Sequence, residues 1–240
     1  MQTQLSELGL PFERIDAVDG FDGSEIGYPA QHKRLSKGEF ACYLSHVKTW
    51  KRFLDSGEPR CLILEDDVVL SRSLPQILAH KPFFDHSAPI TRLECRIFRT
   101  KVAKWTRHSF NGIKLRKLTA YDGGTGANVY SREYLNHLYT NFAEPQIPVD
   151  DRVLDPSQAI FPSFAVFQLD PAPATQSIYV GAFLNHGSRV SDLDSTRVEP
   201  DHRLPSSNPL ATFVREFKEL VRNIRNNLFH TFKVIPFKDD

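Results

Sequence analysis

The segment Leu62-Ile63-Leu64-Glu65-Asp66-Asp67-Val68 constrains this chain more than any other. The apolar run from Cys61 to Leu64 has the pattern of a strand buried on both faces of a parallel sheet. It stops at three carboxylates and resumes as Val68-Val69-Leu70. Ligands of open α/β sheets bind beyond the carboxyl ends of strands, so the acids arrive where a ligand would sit. Three adjacent carboxylates repel one another, and burying each unpaired costs on the order of several kcal/mol. A hard cation, Mg2+ or Mn2+, removes that penalty and is held by one or two carboxylates together with substrate phosphates. In an extended chain Glu65 and Asp67 point to one side and Asp66 to the other. That pair would share a metal and nucleotide, while Asp66 supports the backbone or the ribose. A solvated acidic turn would carry the same residues, and the cluster alone names no reaction.

The elements around it alternate between strand and helix, which places the chain in the α/β class. Gln2 to Leu8 reads as a helix closed by Gly9, and Phe12 to Val18 alternates like a short strand before the turn Asp19-Gly20. Residues 21–35 read as a surface loop. Ser36 and Glu39 form a reciprocal capping box, followed by Phe40, Tyr43, Leu44, Val47, Trp50 and Phe53-Leu54 at helical spacing. Ser56-Gly57 ends that helix. A helix-like stretch spans Leu74 to Leu78, strands are expected at Thr91 to Phe98 and Lys101 to Trp105, and Asn111-Gly112 marks a hairpin. Gly123-Gly124-Thr125-Gly126 is a loop with exposed backbone. It leads into an apolar strand or turn at Ala127 to Tyr130 and a helix at Arg132 to Phe142.

Three units are expected: a folded domain over residues 1–186, a linker at 187–209, and a basic amphipathic helix at 210–240. In the last, Leu210, Phe213, Phe217, Leu220, Ile224 and Leu228 share one face, while Arg215, Lys218, Arg222 and Arg225 lie on the other. Such a helix can rest on an anionic membrane or dock on protein. The formal net charge of +1 argues against nucleic acid as a partner. Neither a signal peptide nor an apolar run long enough to span a bilayer is seen, so the expected location is cytoplasmic, with any membrane contact peripheral. Cys42, Cys61 and Cys95 match no metal or redox spacing and read as reduced core cysteines.

Four segments in order resemble glycosyltransferase family 25, the lipopolysaccharide and lipooligosaccharide biosynthesis transferases. They are Phe12 to Gly20, Leu35 to His46, Leu62 to Val68, and Gly124 to Arg132, of which Leu35 to His46 is the most specific. The resemblance implies a GT-A-like (Rossmann-like) nucleotide-sugar-binding sheet flanked by helices. It also implies a UDP-sugar donor (often UDP-galactose), a divalent metal, a lipid-linked glycan acceptor, and transfer with inversion. Glu65-Asp66-Asp67 would then be the acidic metal motif, with Glu65 and Asp67 on the ion.

An inverting transfer needs a carboxylate base to deprotonate the acceptor hydroxyl. The candidates are Asp150 and Asp151 in Pro148-Val149-Asp150-Asp151, with Asp150 preferred; either could instead cap the helix that follows. Glu39, Ser45 and His46 match the family signature and would line the donor site together with Glu65, Asp66 and Thr125. Glu39 could equally complete the capping box, and Ser45-His46 could be a buried polar pair. Glycines beside Thr125 would let backbone approach the sugar or acceptor closely, although turn chemistry explains them nearly as well. Gln168 and His186 are conceivable third metal ligands without a spacing rule.

Family members begin with an apolar strand and an arginine-bearing helix upstream of the Asp-Ala-Val-Asp-Gly element. Here Met1 falls inside that helix, so the first strand is expected to be missing. Lys101 to Lys117 and the tail after Gly187 show no likeness, which makes them the expected seat of acceptor choice. Two other readings stand beside the transferase: a metal-dependent phosphoesterase, and a non-catalytic or truncated sugar- or nucleotide-binding remnant.

Overall fold

Ser36 opens the longest helix among the described residues by the expected reciprocal cap, its hydroxyl accepting from the Glu39 amide while Glu39 accepts from the Ser36 amide. In the computed structural model this helix, α2, runs Lys37–Ser56 and ends at Gly57 with a left-handed φ of 80°. The structure describes residues 1–20, 34–85, 88–120, 122–141, 145–154, 164–185 and 228–238. Most of the loop expected at 21–35, the linker at 187–209, the helix over 210–227 and His186 lie outside the described residues.

The other α-helices among the described residues are α1 (Gln2–Glu7), α3 (Leu74–Ala79), α4 (Arg132–Thr140), α5 (Val149–Leu154) and α6 (Ser177–Asn185). A six-stranded sheet contains β1 (Arg60–Leu64), β3 (Ile90–Arg92), β6 (His108–Phe110), β7 (Ile113–Lys117), β8 (Ala127–Ser131) and β9 (Val166–Asp170). Its order is β1-β8-β3-β9-β7-β6. A three-stranded sheet joins β2 (Val68–Leu70), β10 (Ala174–Gln176) and β4 (Glu94–Cys95), with β10 in the middle. A two-stranded ribbon pairs β5 (Arg99–Ala103) with β11 (His230–Val234).

The fold is mixed α/β, with several corrections to the expected layout. The apolar run is not an inner strand of a parallel sheet: β1 is the edge strand and pairs antiparallel with β8, Leu62 opposite Val129. Its burial is accordingly partial, with only Ile63 fully buried. In the six-stranded sheet only β3 and β9 pair in parallel. Residues 12–18 form no strand. They lie along α2 instead, because Val18 donates its amide to the Ser45 hydroxyl (2.8 Å), Lys48 donates to Asp16 O (2.8 Å), and Arg52 pairs with Glu13 (2.6 Å). The helix expected at 210–240 does not run to the end either. The β-branched and aromatic stretch His230-Thr231-Phe232-Lys233-Val234 is strand, laddered to β5. Of the three free cysteines Cys95 is buried as expected, Cys61 is half-buried, and Cys42 is exposed.

Two apolar layers cover the sheet. On one face Tyr43, Trp50, Tyr134, Leu135, Val153 and Leu154 from α2, α4 and α5 pack on Ile63, Tyr130, Ile90 and Val166. On the other, Leu74, Ile77 and Phe83 pack on Val129, Phe167, Leu169 and Leu115. Asn111-Gly112 turns β6 into β7 with φ values of 47° and 78°, both left-handed, as a two-residue hairpin of that composition requires. Among the described residues no helix is long and apolar enough to cross a membrane.

Candidate active site

Glu65 sits at the carboxyl end of β1, where its amide donates to Gly126 O (2.9 Å). The acids that follow are not extended. Asp66 and Asp67 form the turn into β2, so the alternation that would have aligned Glu65 with Asp67 does not apply. Glu65 points inward, with its side chain 29% exposed, while Asp66 and Asp67 lie on the surface. Asp67 contributes its carbonyl, which accepts from the Ser177 amide (2.8 Å).

One oxygen of Glu65 is held from two sides. The Thr125 hydroxyl donates to Oε1 at 2.6 Å and His46 Nε2 lies 3.3 Å from the same atom. Burial pulls the His46 pKa down, but Cys42 and Glu65 beside it more than reverse this and raise it to about 9, which favours the charged ring. Glu65 moves the opposite way. Burial raises its carboxyl, and the hydrogen bonds from His46 and Thr125 more than reverse this. The two shifts agree on an ion pair anchored in α2. Asp67 differs: burial, then the charges of Glu65 and Asp66, raise its carboxyl, so it carries a repulsion that a nearby cation would relieve. Among the described residues no group of three or more His, Cys, Asp or Glu is assembled to hold an ion by itself. Glu65 and Asp67 supply hard oxygen donors of the kind that takes Mg2+ or Mn2+ when ligand oxygens complete the shell.

The glycine loop joins the two acidic segments. Gly124 donates its amide to Asp150 Oδ2 at 3.4 Å, one residue from the Thr125 hydroxyl that holds Glu65. Asp150 and Asp151 occupy the first turn of α5, and Asp150 Oδ1 accepts from the Asp151 amide (3.1 Å). The structure thus brings together Glu65, His46, Thr125 and Asp150. The other expected residues sit apart from that cluster. Glu39 is committed to the cap, which lowers its carboxyl pKa. Ser45 joins α2 to the Val18 segment and donates to Ala41 O (2.8 Å). Gln168 lies on β9, three strands from β1 or roughly 14 Å at the usual strand spacing, and donates to Glu94 O (3.0 Å) and Leu169 O (2.9 Å).

Beneath the loop lies a cluster absent from the sequence reading. Arg92 and Glu94 are 1% and 0% exposed. Arg92 donates to Asp122 (2.7 Å) and to Gly123 O (2.7 Å), and Asp122 also accepts from Arg96 and Thr100. Burial would raise the Asp122 carboxyl, but the two guanidinium groups and Thr100 bring it down to about 2. Glu94 Oε1 accepts from the Gly126 amide at 3.0 Å, while its Oε2 is buried without a hydrogen-bond partner. Burial, only partly offset by Arg92, pushes the Glu94 carboxyl up to about 7. The alternation Arg92-Leu93-Glu94-Cys95 looks like a half-exposed strand. The available clue was a glycine-rich loop and an acid at Asp122 that could cover and neutralise it.

Register extends this polar layer. Asn128, Arg92, Gln168 and Arg116 stand opposite one another across β8, β3, β9 and β7, hence on one face of the sheet. They occupy the α2 side, one step from the apolar row Tyr130, Ile90 and Val166.

Residues 1–152 match the profile of glycosyltransferase family 25 (LPS biosynthesis protein). The chain is 28% identical to the lacto-N-neotetraose biosynthesis glycosyltransferase LgtE of Neisseria gonorrhoeae, over 79% of this chain and 73% of that protein. It is likewise 28% identical to LgtB of the same organism, over 82% and 74%. The lipooligosaccharide biosynthesis protein lic2B of Haemophilus influenzae is 23% identical, over 99% of this chain and 93% of its own length. The family match takes in more than half of the 240 residues, Glu65, Thr125 and Asp150 among them, and the chain belongs to glycosyltransferase family 25.

Proposed function

We propose that the protein moves a hexose, galactose in the reading favoured by the resemblance, from a UDP-sugar to a lipopolysaccharide or lipooligosaccharide acceptor with inversion. The observation that carries this reading is the single loop touching both acidic segments, Asp150 at Gly124 and Glu65 at Thr125. Leaving-group stabilisation and acceptor deprotonation need two acids at one place, held by different elements. The names of the matched relatives support the acceptor class, since LgtE and lic2B are biosynthesis proteins of lacto-N-neotetraose and lipooligosaccharide.

In this reading Asp67 and Glu65 would hold Mn2+ or Mg2+, which would neutralise the departing diphosphate. His46 and Thr125 fix the Glu65 carboxylate so that it is ionised and aimed before a ligand arrives. Asp66 and Asp67 remain at the surface of the turn, where donor phosphates can reach them. Asp150, steadied by the Gly124 and Asp151 amides, takes the proton of the acceptor hydroxyl, in preference to Asp151.

The protein would work at the inner face of the bacterial inner membrane. Support comes from the β5–β11 ribbon, which exposes Phe232 (56%), with Phe229 (54%) and Trp105 (49%) at its end. Lys101, whose ammonium lies 5.4 Å from the Phe232 ring, together with Arg99 and Lys104, adds positive charge. Aromatic residues interleaved with cations suit an anionic lipid surface.

The test is incubation with Mn2+ and a panel of UDP-sugars, measuring free UDP. Turnover with one donor that is lost on Asp67→Ala and on removal of the metal supports the proposal. Phosphate release from simple esters would favour a phosphoesterase, and saturable donor binding without turnover would favour a remnant.

A further inference from the structure

Glu94 stands out among the buried groups that the proposed reaction does not use. The Gly124–Gly126 backbone lies flat on its carboxylate. A Cβ on Gly124 would sit 2.6 Å from Oε1, and one on Gly126 would sit 2.8 Å from Oε2. Real Cβ atoms do not approach heavy atoms that closely, and the Gly124 φ of 103° is itself in the left-handed region. Contact is therefore possible only because both residues lack side chains. On its opposite side the same short loop holds Glu65, through the Thr125 hydroxyl (2.6 Å) and Gly126 O (2.9 Å). Glu94 and Glu65 thus grip one tripeptide from below and from above.

Stability does not account for a carboxylate in this place. It is fully buried, its ion pair with Arg92 is long at 3.8 Å, and one of its oxygens is unpartnered. An apolar or amide side chain would relieve that cost. Such groups persist where an arrangement is needed for its geometry.

We infer that Glu94 is a positioning residue: it clamps the Gly124–Gly126 loop from beneath and thereby sets the contact of Thr125 with Glu65. Arg92 assists by holding Gly123 O and Asp122, so the loop rests on a buried base and not on solvent. Activity enters this inference only through the transferase reading, whereas the clamp itself is a property of the ligand-free protein.

The experiment compares the wild type with Glu94→Gln, which keeps an acceptor at Oε1, and Glu94→Ala, which removes it. Amide hydrogen exchange is followed residue by residue without ligand. Glu94→Ala should speed exchange at Gly126 and Glu65 roughly tenfold, the equivalent of about one hydrogen bond, with the interior of α2 unchanged. Glu94→Gln should leave both amides protected. UDP release should follow the same order, falling about tenfold in Glu94→Ala and remaining near wild type in Glu94→Gln. If Glu94→Ala does not fold, Gly126→Ala presses on the same carboxylate from the loop side and should produce the same local exchange. Unchanged exchange at Gly126 and Glu65, or acceleration spread evenly over α2 and the sheet, overturns the clamp. Should the wild type release no UDP from any donor, the transferase reading fails, and the exchange measurement still decides the role of Glu94.

Discussion

Thr125 donates its hydroxyl to Glu65 across sixty residues of chain, at 2.6 Å, and one residue away Gly124 meets Asp150. These contacts tie two acidic stretches to one loop. They also make the threonine hydroxyl an orienting group, with a consequence for substitution. Thr125→Val keeps the shape and loses the donor, so UDP release should fall roughly tenfold to a hundredfold, the value of a hydrogen bond to a charged group. Thr125→Ser should retain most of the rate. Equal rates for all three proteins would remove Thr125 from the site.

Asp67 lies on the surface and is destabilised in its ionised form by burial and by its neighbours Glu65 and Asp66. Asp67→Asn should therefore leave the fold intact, or raise the melting temperature slightly at low salt, while abolishing metal-dependent turnover. Paired thermal denaturation and UDP assays read the two effects separately. A variant that keeps full activity shows that the metal is bound elsewhere.

The Asp122 carboxyl, at about 2 in the folded protein against an ordinary 3.8, links stability to pH. Its folded value is depressed, so its contribution is fully present above about 4 and is lost as the pH falls through about 2. Asp122→Asn leaves the buried Arg92 charge with only its longer Glu94 pair and should cost roughly 3–5 kcal/mol at neutral pH. The gap between wild type and variant in urea denaturation should stay level through neutral and weakly acidic solution, then close in strong acid. A gap independent of pH contradicts the ion pair.

In the proposed reading the outward face of the β5–β11 ribbon, at Phe232 and Lys101, meets lipid and not the reacting groups. Phe232→Ser combined with Lys101→Glu should abolish sedimentation with anionic phospholipid vesicles and leave UDP release toward a soluble acceptor analogue near wild type. Added salt should weaken wild-type binding, since the cations contribute through a screened field. Binding to neutral vesicles alone, or undiminished binding by the variant, argues against a lipid-facing ribbon.

Local chemistry was readable from the residues alone, and non-local chemistry was not. The Ser36–Glu39 cap and the Asn111-Gly112 hairpin depend on neighbours a few positions away, and both form as expected. The strand before Glu65 was also found, but its place in the sheet depends on β8, where Leu62 meets Val129. No periodicity within Cys61 to Leu64 separates an inner parallel strand from an antiparallel edge. The alternation at residues 12–18 was real, yet Ser45, Lys48 and Arg52 supply partners that a neighbouring strand would otherwise have supplied. The resemblance points to Asp150 and His46 separately, and in the folded chain His46 meets Glu65 while Asp150 meets Gly124, one residue from Thr125. Glu94 escaped because a charged residue alternating with apolar ones looks solvated until the loop that covers it is in place.

Helix α2 carries on one side the three residues that fasten the chain around Val18, and on another the imidazole that holds Glu65. A rigid cylinder with two loads transmits the tilt imposed at one to the other. The Arg52–Glu13 pair has both side chains more than half exposed and is worth little by itself, so the hold on the segment falls to the Ser45 hydroxyl and the Lys48 ammonium. One helix thus seats both the amino-terminal segment and the imidazole that meets the candidate acid.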